Sequence, residues 1–191
     1  MASSKLFPRM LRAAKLEPQL YEEVEADNLV TGQALLVVVL VALATGIGYG
    51  IADLMKGEGG SIIGFVPALA WSVIILLAVW FIFSLLSFWL GTSIFKGPET
   101  KSSLGELLRT LGFAYSPGVL NIFSFIPFIG RFIPFATFIW AIVAAVIAVR
   151  QACDFTTGRS VGTVIIASII PLIIMVLLAL LVDGTFAALM K

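Results

Sequence analysis

The stretch GFAYSPGVLNIFSFIPFIGRFIPF, Gly112 to Phe135, constrains this chain more than any other. It is as apolar as a membrane span, yet Pro117, Pro127 and Pro134 interrupt it with Gly112, Gly118 and Gly130 between them. Proline removes a backbone donor and clashes with the preceding turn, so one continuous helix is excluded and the chain must break inside or at the edge of a bilayer. The tetrapeptide FIPF stands at Phe125 to Phe128 and again at Phe132 to Phe135, separated only by Ile129, Gly130 and Arg131. That spacing predicts a tight turn between two membrane helices.

The rest of the chain agrees with a bilayer. Of 191 residues 60% are hydrophobic and only 12% charged, with a mean hydropathy of +1.11, too few polar groups to cover a water-soluble surface. A net charge of +1 argues against nucleic acid as a partner. Histidine is absent, which removes the commonest metal ligand and general base. No nucleophile and base pair can be assembled, so neither catalysis nor a cofactor is expected. Cys153 is alone and beside Asp154, and is expected to be inert. No cleavable signal is expected, because the first long apolar run follows an acidic segment.

Before that run, Arg9, Arg12 and Lys15 share one sector of a helix over Lys5 to Leu16, with Phe7, Met10, Leu11 and Ala14 largely opposite. Two readings stand side by side: an amphipathic helix on an anionic leaflet, or a solvated terminus whose charges set topology. An acidic segment follows, with Glu17, Glu22, Glu23, Glu25 and Asp27, a Pro18 suited to a first helical position, and Leu20 and Val24 four apart. Residues 1–31 therefore form a polar N-terminal region and 32–191 a transmembrane domain.

Five spans are expected, near 33–52, 71–95, 104–126, 132–149 and 161–182, giving an all-α bundle of five transmembrane helices. Gly46, Gly48 and Gly50 in the first lack the strand that a phosphate loop needs and suit close helix packing instead. Residues 62–95 carry no charge, and a straight helix of that length would be roughly 50 Å long. Trp71 and Trp89, eighteen residues apart, mark two interfaces of the second span, with 62–70 an interfacial lead-in or else part of a long tilted helix. In the third span Tyr115, Ser116 and Asn121 flank Pro117, where they either satisfy the freed backbone or bind a small polar group. Arg131 is an interfacial anchor. Lys5, Arg9, Arg12, Lys15, Lys96, Lys101, Arg109, Arg150 and Arg159 fall on one side, against Lys56, Arg131 and Lys191 on the other. The N-terminus is thus expected in the cytoplasm and the C-terminus outside.

YEEVEAD at Tyr21 to Asp27, LGFAYSPGVL at Leu111 to Leu120 and IWAIVAAVIAVRQACDFTTGRSV at Ile139 to Val161 resemble a bacterial branch of the YIP domain family, the Ypt/Rab-interacting type of five-span membrane protein. The resemblance implies a multi-pass protein of the bacterial plasma membrane without an assigned chemistry. A long cytosolic N-terminal region and a DLYGP-like motif are missing, which argues against a Rab-type GTPase as partner. The expected function is that of a non-enzymatic scaffold or adaptor packing against lipid, other integral membrane proteins or itself. Its partner-facing residues would be Tyr21, Glu22, Glu23, Glu25, Arg150 and Arg159. The alternatives are an accessory subunit of a larger membrane complex and a small transporter or channel with a site at the broken third span. Against the last, no acidic or basic residue is clearly central in a span.

Overall fold

The computed structural model describes residues 6–56, 62–98 and 100–189. Lys5, the loop residues 57–61 and Lys191 lie outside them. Among the described residues the secondary structure is entirely helical: α1 (Leu6–Ala14), α2 (Pro18–Ala26), α3 (Thr31–Lys56), α4 (Ile62–Thr92), α5 (Leu104–Ala114), α6 (Ile133–Ala152) and α7 (Thr157–Leu189), with 3-10 segments at Asn28–Val30 and Ser116–Phe125. Runs such as Val37, Val38 and Val39 are mediocre helix formers in water, but lipid leaves the backbone no partner other than itself.

Among the described residues four helical stretches are long and apolar enough to cross a membrane: Asn28–Met55, Phe65–Thr92, Ile133–Ala152 and Thr157–Ile174. The proline-broken stretch is built differently from these. Helix α5 stops at Ala114, and the chain continues as a ten-residue 3-10 helix from Ser116 to Phe125. Pro117 leaves the Phe113 carbonyl without its helical donor, and the Ser116 hydroxyl donates to that oxygen at 2.6 Å. The turn at 126–132 then reverses the chain into α6, as the repeated FIPF predicts.

Helix ends differ from the sequence reading in two places. Residues 62–70, expected as a lead-in to the second span or as part of a long tilted helix, are continuous with that span as the first turns of a single 31-residue α4 that contains Pro67. Thr157 to Arg159, expected in a loop, open α7, which runs on through Asp183. The turn ahead of α7 is a Schellman motif: Phe155 N–H donates to Arg150 O at 2.9 Å and Asp154 N–H to Gln151 O at 3.1 Å. Asp154 takes the left-handed position, φ 52°, that glycine usually fills.

Packing against the broken segment fixes the bundle. Along α3, Ala34, Val41 and Gly48, seven residues apart, meet Gly112, Gly118 and the Asn121 carbonyl in turn. Fourteen α-helical residues advance about 21 Å; the nine facing residues cover about 17 Å, because most of them rise at the 3-10 value of about 2 Å each, against about 13 Å had they been α-helical. The three glycines in the second half of α3, Gly46, Gly48 and Gly50, divide their work. Gly46 and Gly50 lie against Leu69, Ser72 and Phe65 of α4, and Gly48 against the 3-10 segment, which agrees with a packing role.

Candidate functional site

Helices α1 and α2 do not lie free as two oppositely charged segments. Arg9, with a side chain only 7% exposed, pairs with Glu23 at 2.9 Å and Asp27 at 3.5 Å and donates to Gln33 Oε1 at 3.0 Å. Arg12 bridges Glu17 at 2.9 Å and Glu23 at 2.6 Å. Two of the three basic residues that suggested a leaflet-binding helix, Arg9 and Arg12, are therefore spent on the acidic segment, and Lys15 is exposed. Arg12 in the first place, then Arg9, holds the Glu23 carboxyl below the usual carboxylate range. Met10 and Ala13 of α1 and Leu20, Tyr21 and Val24 of α2 face the bundle core, and Trp140 of α6 donates its indole N–H to Ala14 O at 2.8 Å.

Arg109 secures this cap from below. It is buried in α5, and its guanidinium donates to Val24 O at 2.9 Å and to Glu25 O, the carbonyls ending α2. Sequence reasoning counted Arg109 only as a loop charge. The signal was available: it stands in LLRTL, inside an apolar helix that is buried almost all round from Arg109 to Ala114. The N-terminus of α5 is set by a capping box between Ser103 and Glu106, with Ser103 N–H donating to Glu106 Oε2 at 2.9 Å.

Where the cap meets the α6–α7 turn, an open cleft of about 670 Å³ is lined by Glu22, Glu25, Ala26, Arg150, Gln151, Asp154 and Phe155. Gln151 donates to Glu22, and Arg150 Nε donates to Gln151 Oε1 at 3.1 Å. Glu25 is half-buried. Desolvation, with repulsion from Glu106 and Asp154 outweighing attraction to Arg109, pushes its carboxyl up to about 7. The cleft is a surface with more acid than base. Beside it, burial pushes the Cys153 thiol up to about 11, and the sulfur packs against Gly91 of α4. Desolvation outranks the Asp154 charge as the reason for its inertness.

The expected partner-facing residues therefore separate. Glu22, Glu25 and Arg150 line the cleft. Glu23 is paired inside the cap. Tyr21 is fully buried, its hydroxyl donating to Ala13 O at 3.3 Å, because its position on α2 falls on the inward face with Leu20 and Val24; it is a core residue, not a contact for a partner. Arg159 is exposed but lies beside Gly97, away from the cleft.

The polar residues of the broken segment also separate. Ser116 answers the proline break, and Pro117 is buried. Asn121 reaches outward: its Nδ2 donates to Thr45 Oγ1 of α3 at 3.1 Å, and its Oδ1 accepts from Thr137 Oγ1 of α6 at 2.7 Å. Tyr115 is half-buried against the core. Ser116 and Asn121 thus spend their polar groups on the bundle itself. Trp71 and Trp89 are both exposed on α4, and Arg131 is exposed in the turn before α6. Among the described residues no three Cys, Asp or Glu side chains form a group able to hold a metal.

The three segments that carry the family resemblance meet around the cap. α2 packs on both α5 and α6, and the α6–α7 turn closes the cleft. No curated protein and no solved structure matches the chain. A family model for the Yip1 domain matches residues 17–181, from the residue before α2 through most of α7. The chain, a membrane protein of apolar helices, belongs to the Yip1 domain family.

Proposed function

We propose that the protein is a non-enzymatic membrane adaptor whose working surface is the acid-rimmed cleft between α2 and the α6–α7 turn. The carrying observation is that the cap is fixed: Arg9, Arg12 and Arg109 are all spent on holding it, while Glu22, Glu25 and Asp154 stay at the cleft. A partner presenting a basic segment complements that charge. The bilayer holds the surface at a membrane face. Five passes fit: α5 and the 3-10 segment together extend about 36 Å, enough for a hydrocarbon core of about 30 Å. The positive-inside rule then puts the cleft on the cytoplasmic side of a bacterial plasma membrane and the C-terminus outside.

The test combines topology with contact. Introduced cysteines at positions 150 and 159 are expected to resist a membrane-impermeant reagent added outside intact cells, and labelling there overturns the orientation. Photo-crosslinkers at positions 26 and 151, which also line the cleft, are expected to capture a discrete protein partner after gentle solubilisation, and adding Glu22→Lys with Asp154→Lys to those probe-bearing chains is expected to abolish the capture. Solitary migration without adducts refutes the adaptor reading.

A further inference from the structure

At the opposite end of the bundle from the cap, the turn before α6 forms a second recess, of about 550 Å³, between the ends of α3 and the 3-10 segment. Its lining is mostly apolar, including Met55, Phe125 and Pro134, and three polar side chains enter it: Tyr49, Ser124 and Arg131. Among the described residues Arg131 has no ion pair. Its guanidinium carbon lies 5.2 Å from the ring centroid of Phe128 and 4.8 Å from that of Phe132, a cation held between two aromatic faces. The Ser124 hydroxyl is shielded from solvent and has no hydrogen-bond partner among the described residues. A buried hydroxyl without a partner is costly, and one lining a recess beside a cation that has no ion pair among the described residues points to an oxygen-rich anion.

The backbone supplies two more reasons. Helix α6 begins at Ile133, two residues after Arg131, without a side-chain cap, so the positive end of its dipole adds to the field of the cation. Phe128 holds φ at 68°, a left-handed conformation that costs a non-glycine residue energy, and this places its largely exposed ring against Arg131. The neighbouring Phe128, Ile129, Phe132 and Phe135 side chains are all exposed and apolar, as a turn dipping into lipid requires.

We infer that this recess is a binding site for the phosphate group of an anionic phospholipid. Arg131 forks the phosphate oxygens, Ser124 donates to one of them, and the apolar wall receives the upper acyl chain. Asp53, the nearest acid along α3, is not among the lining residues. The inference is independent of the adaptor reading and needs only the membrane setting.

Native mass spectrometry of the delipidated full chain tests it with three probes: phosphatidylglycerol, phosphatidylcholine and inorganic phosphate. The expected result is one retained phosphatidylglycerol, preferred about ten-fold over phosphatidylcholine, as one charge-assisted contact allows. Arg131→Gln abolishes the preference, Arg131→Lys keeps part of it, and Ser124→Ala weakens phosphatidylglycerol retention several-fold. Equal retention of the two lipids by the wild type overturns the proposal, and so does wild-type preference in Arg131→Gln. Displacement of phosphatidylglycerol by millimolar inorganic phosphate also overturns it, since the site would then take a free anion. Should Arg131→Gln fail to fold, unchanged retention by Ser124→Ala refutes the assignment by itself.

Discussion

Replacing Gly48 by alanine sets two known effects against each other. In a helix interior the change is worth up to about 1 kcal/mol in favour of alanine, because glycine loses more backbone freedom on folding. At Gly48, however, the new Cβ would stand 2.1 Å from the Asn121 carbonyl oxygen and 3.1 Å from the Ile122 carbonyl oxygen, where ordinary contact begins at 3.4 Å. The obstacle is backbone and cannot rotate away, so α3 and the 3-10 segment must separate by about 1.3 Å. Overpacking of that kind costs about 1–3 kcal/mol. The same movement stretches the Asn121 to Thr45 hydrogen bond from 3.1 Å beyond bonding range, a loss of about 0.6 kcal/mol in a membrane bundle. The net expectation is a destabilisation of about 1–2.5 kcal/mol. Gly32 in the same helix has nothing within 4 Å of its added Cβ, so Gly32→Ala should change stability by no more than about 1 kcal/mol, and favourably. Gly112→Ala falls between them, with 2.8 Å to the Ala34 Cβ. Reversible unfolding in mixed micelles measures the series. If Gly48→Ala is as stable as Gly32→Ala, the close approach of these two segments is not what organises the bundle.

Asn121→Ala should cost about 1 kcal/mol, and a double-mutant cycle with Thr137→Val should show coupling of about 0.5 kcal/mol or more; zero coupling removes the bridge between α3 and α6. Arg109→Met leaves the Val24 and Glu25 carbonyls without their donor and should cost about 1–3 kcal/mol, read as faster proteolysis within residues 15–30. Lysine at 109 should rescue poorly, because its one ammonium nitrogen cannot stand where both Nε and Nη2 of the planar guanidinium stand to reach the two carbonyls. The pH dependence has two windows. Glu25 binds its proton more tightly folded (about 7) than unfolded (4.5), so its contribution is most favourable below about 4.5 and fades as pH rises from about 5 to 7. Glu23 is held low by Arg12 and Arg9, so its contribution is present above 4.5 and is lost as pH falls further. Thermal unfolding of Glu25→Gln should lack the slope between pH 5 and 7; a wild-type slope in that variant refutes the assignment to Glu25.

Hydropathy and proline placement by themselves determined that this is a helical membrane protein with a turn at 126–132 and a broken segment ahead of it. They sufficed because the bilayer forces every backbone group to pair within its own segment, and proline is the residue that cannot. Pro18 and the spacing of Leu20 and Val24 likewise marked α2 and its inward face. Only the tertiary structure decided how the charges are used. Arg9 and Glu23 lie fourteen residues apart in sequence, and Arg109 reaches carbonyls more than eighty residues earlier. Tyr21 and Glu22 are neighbours in one acidic run, yet one is core and the other lines the cleft. Charge patterning states what a helix can present. Which of those groups is consumed inside the fold depends on the neighbour that packs against it, and that neighbour here comes from a distant part of the chain.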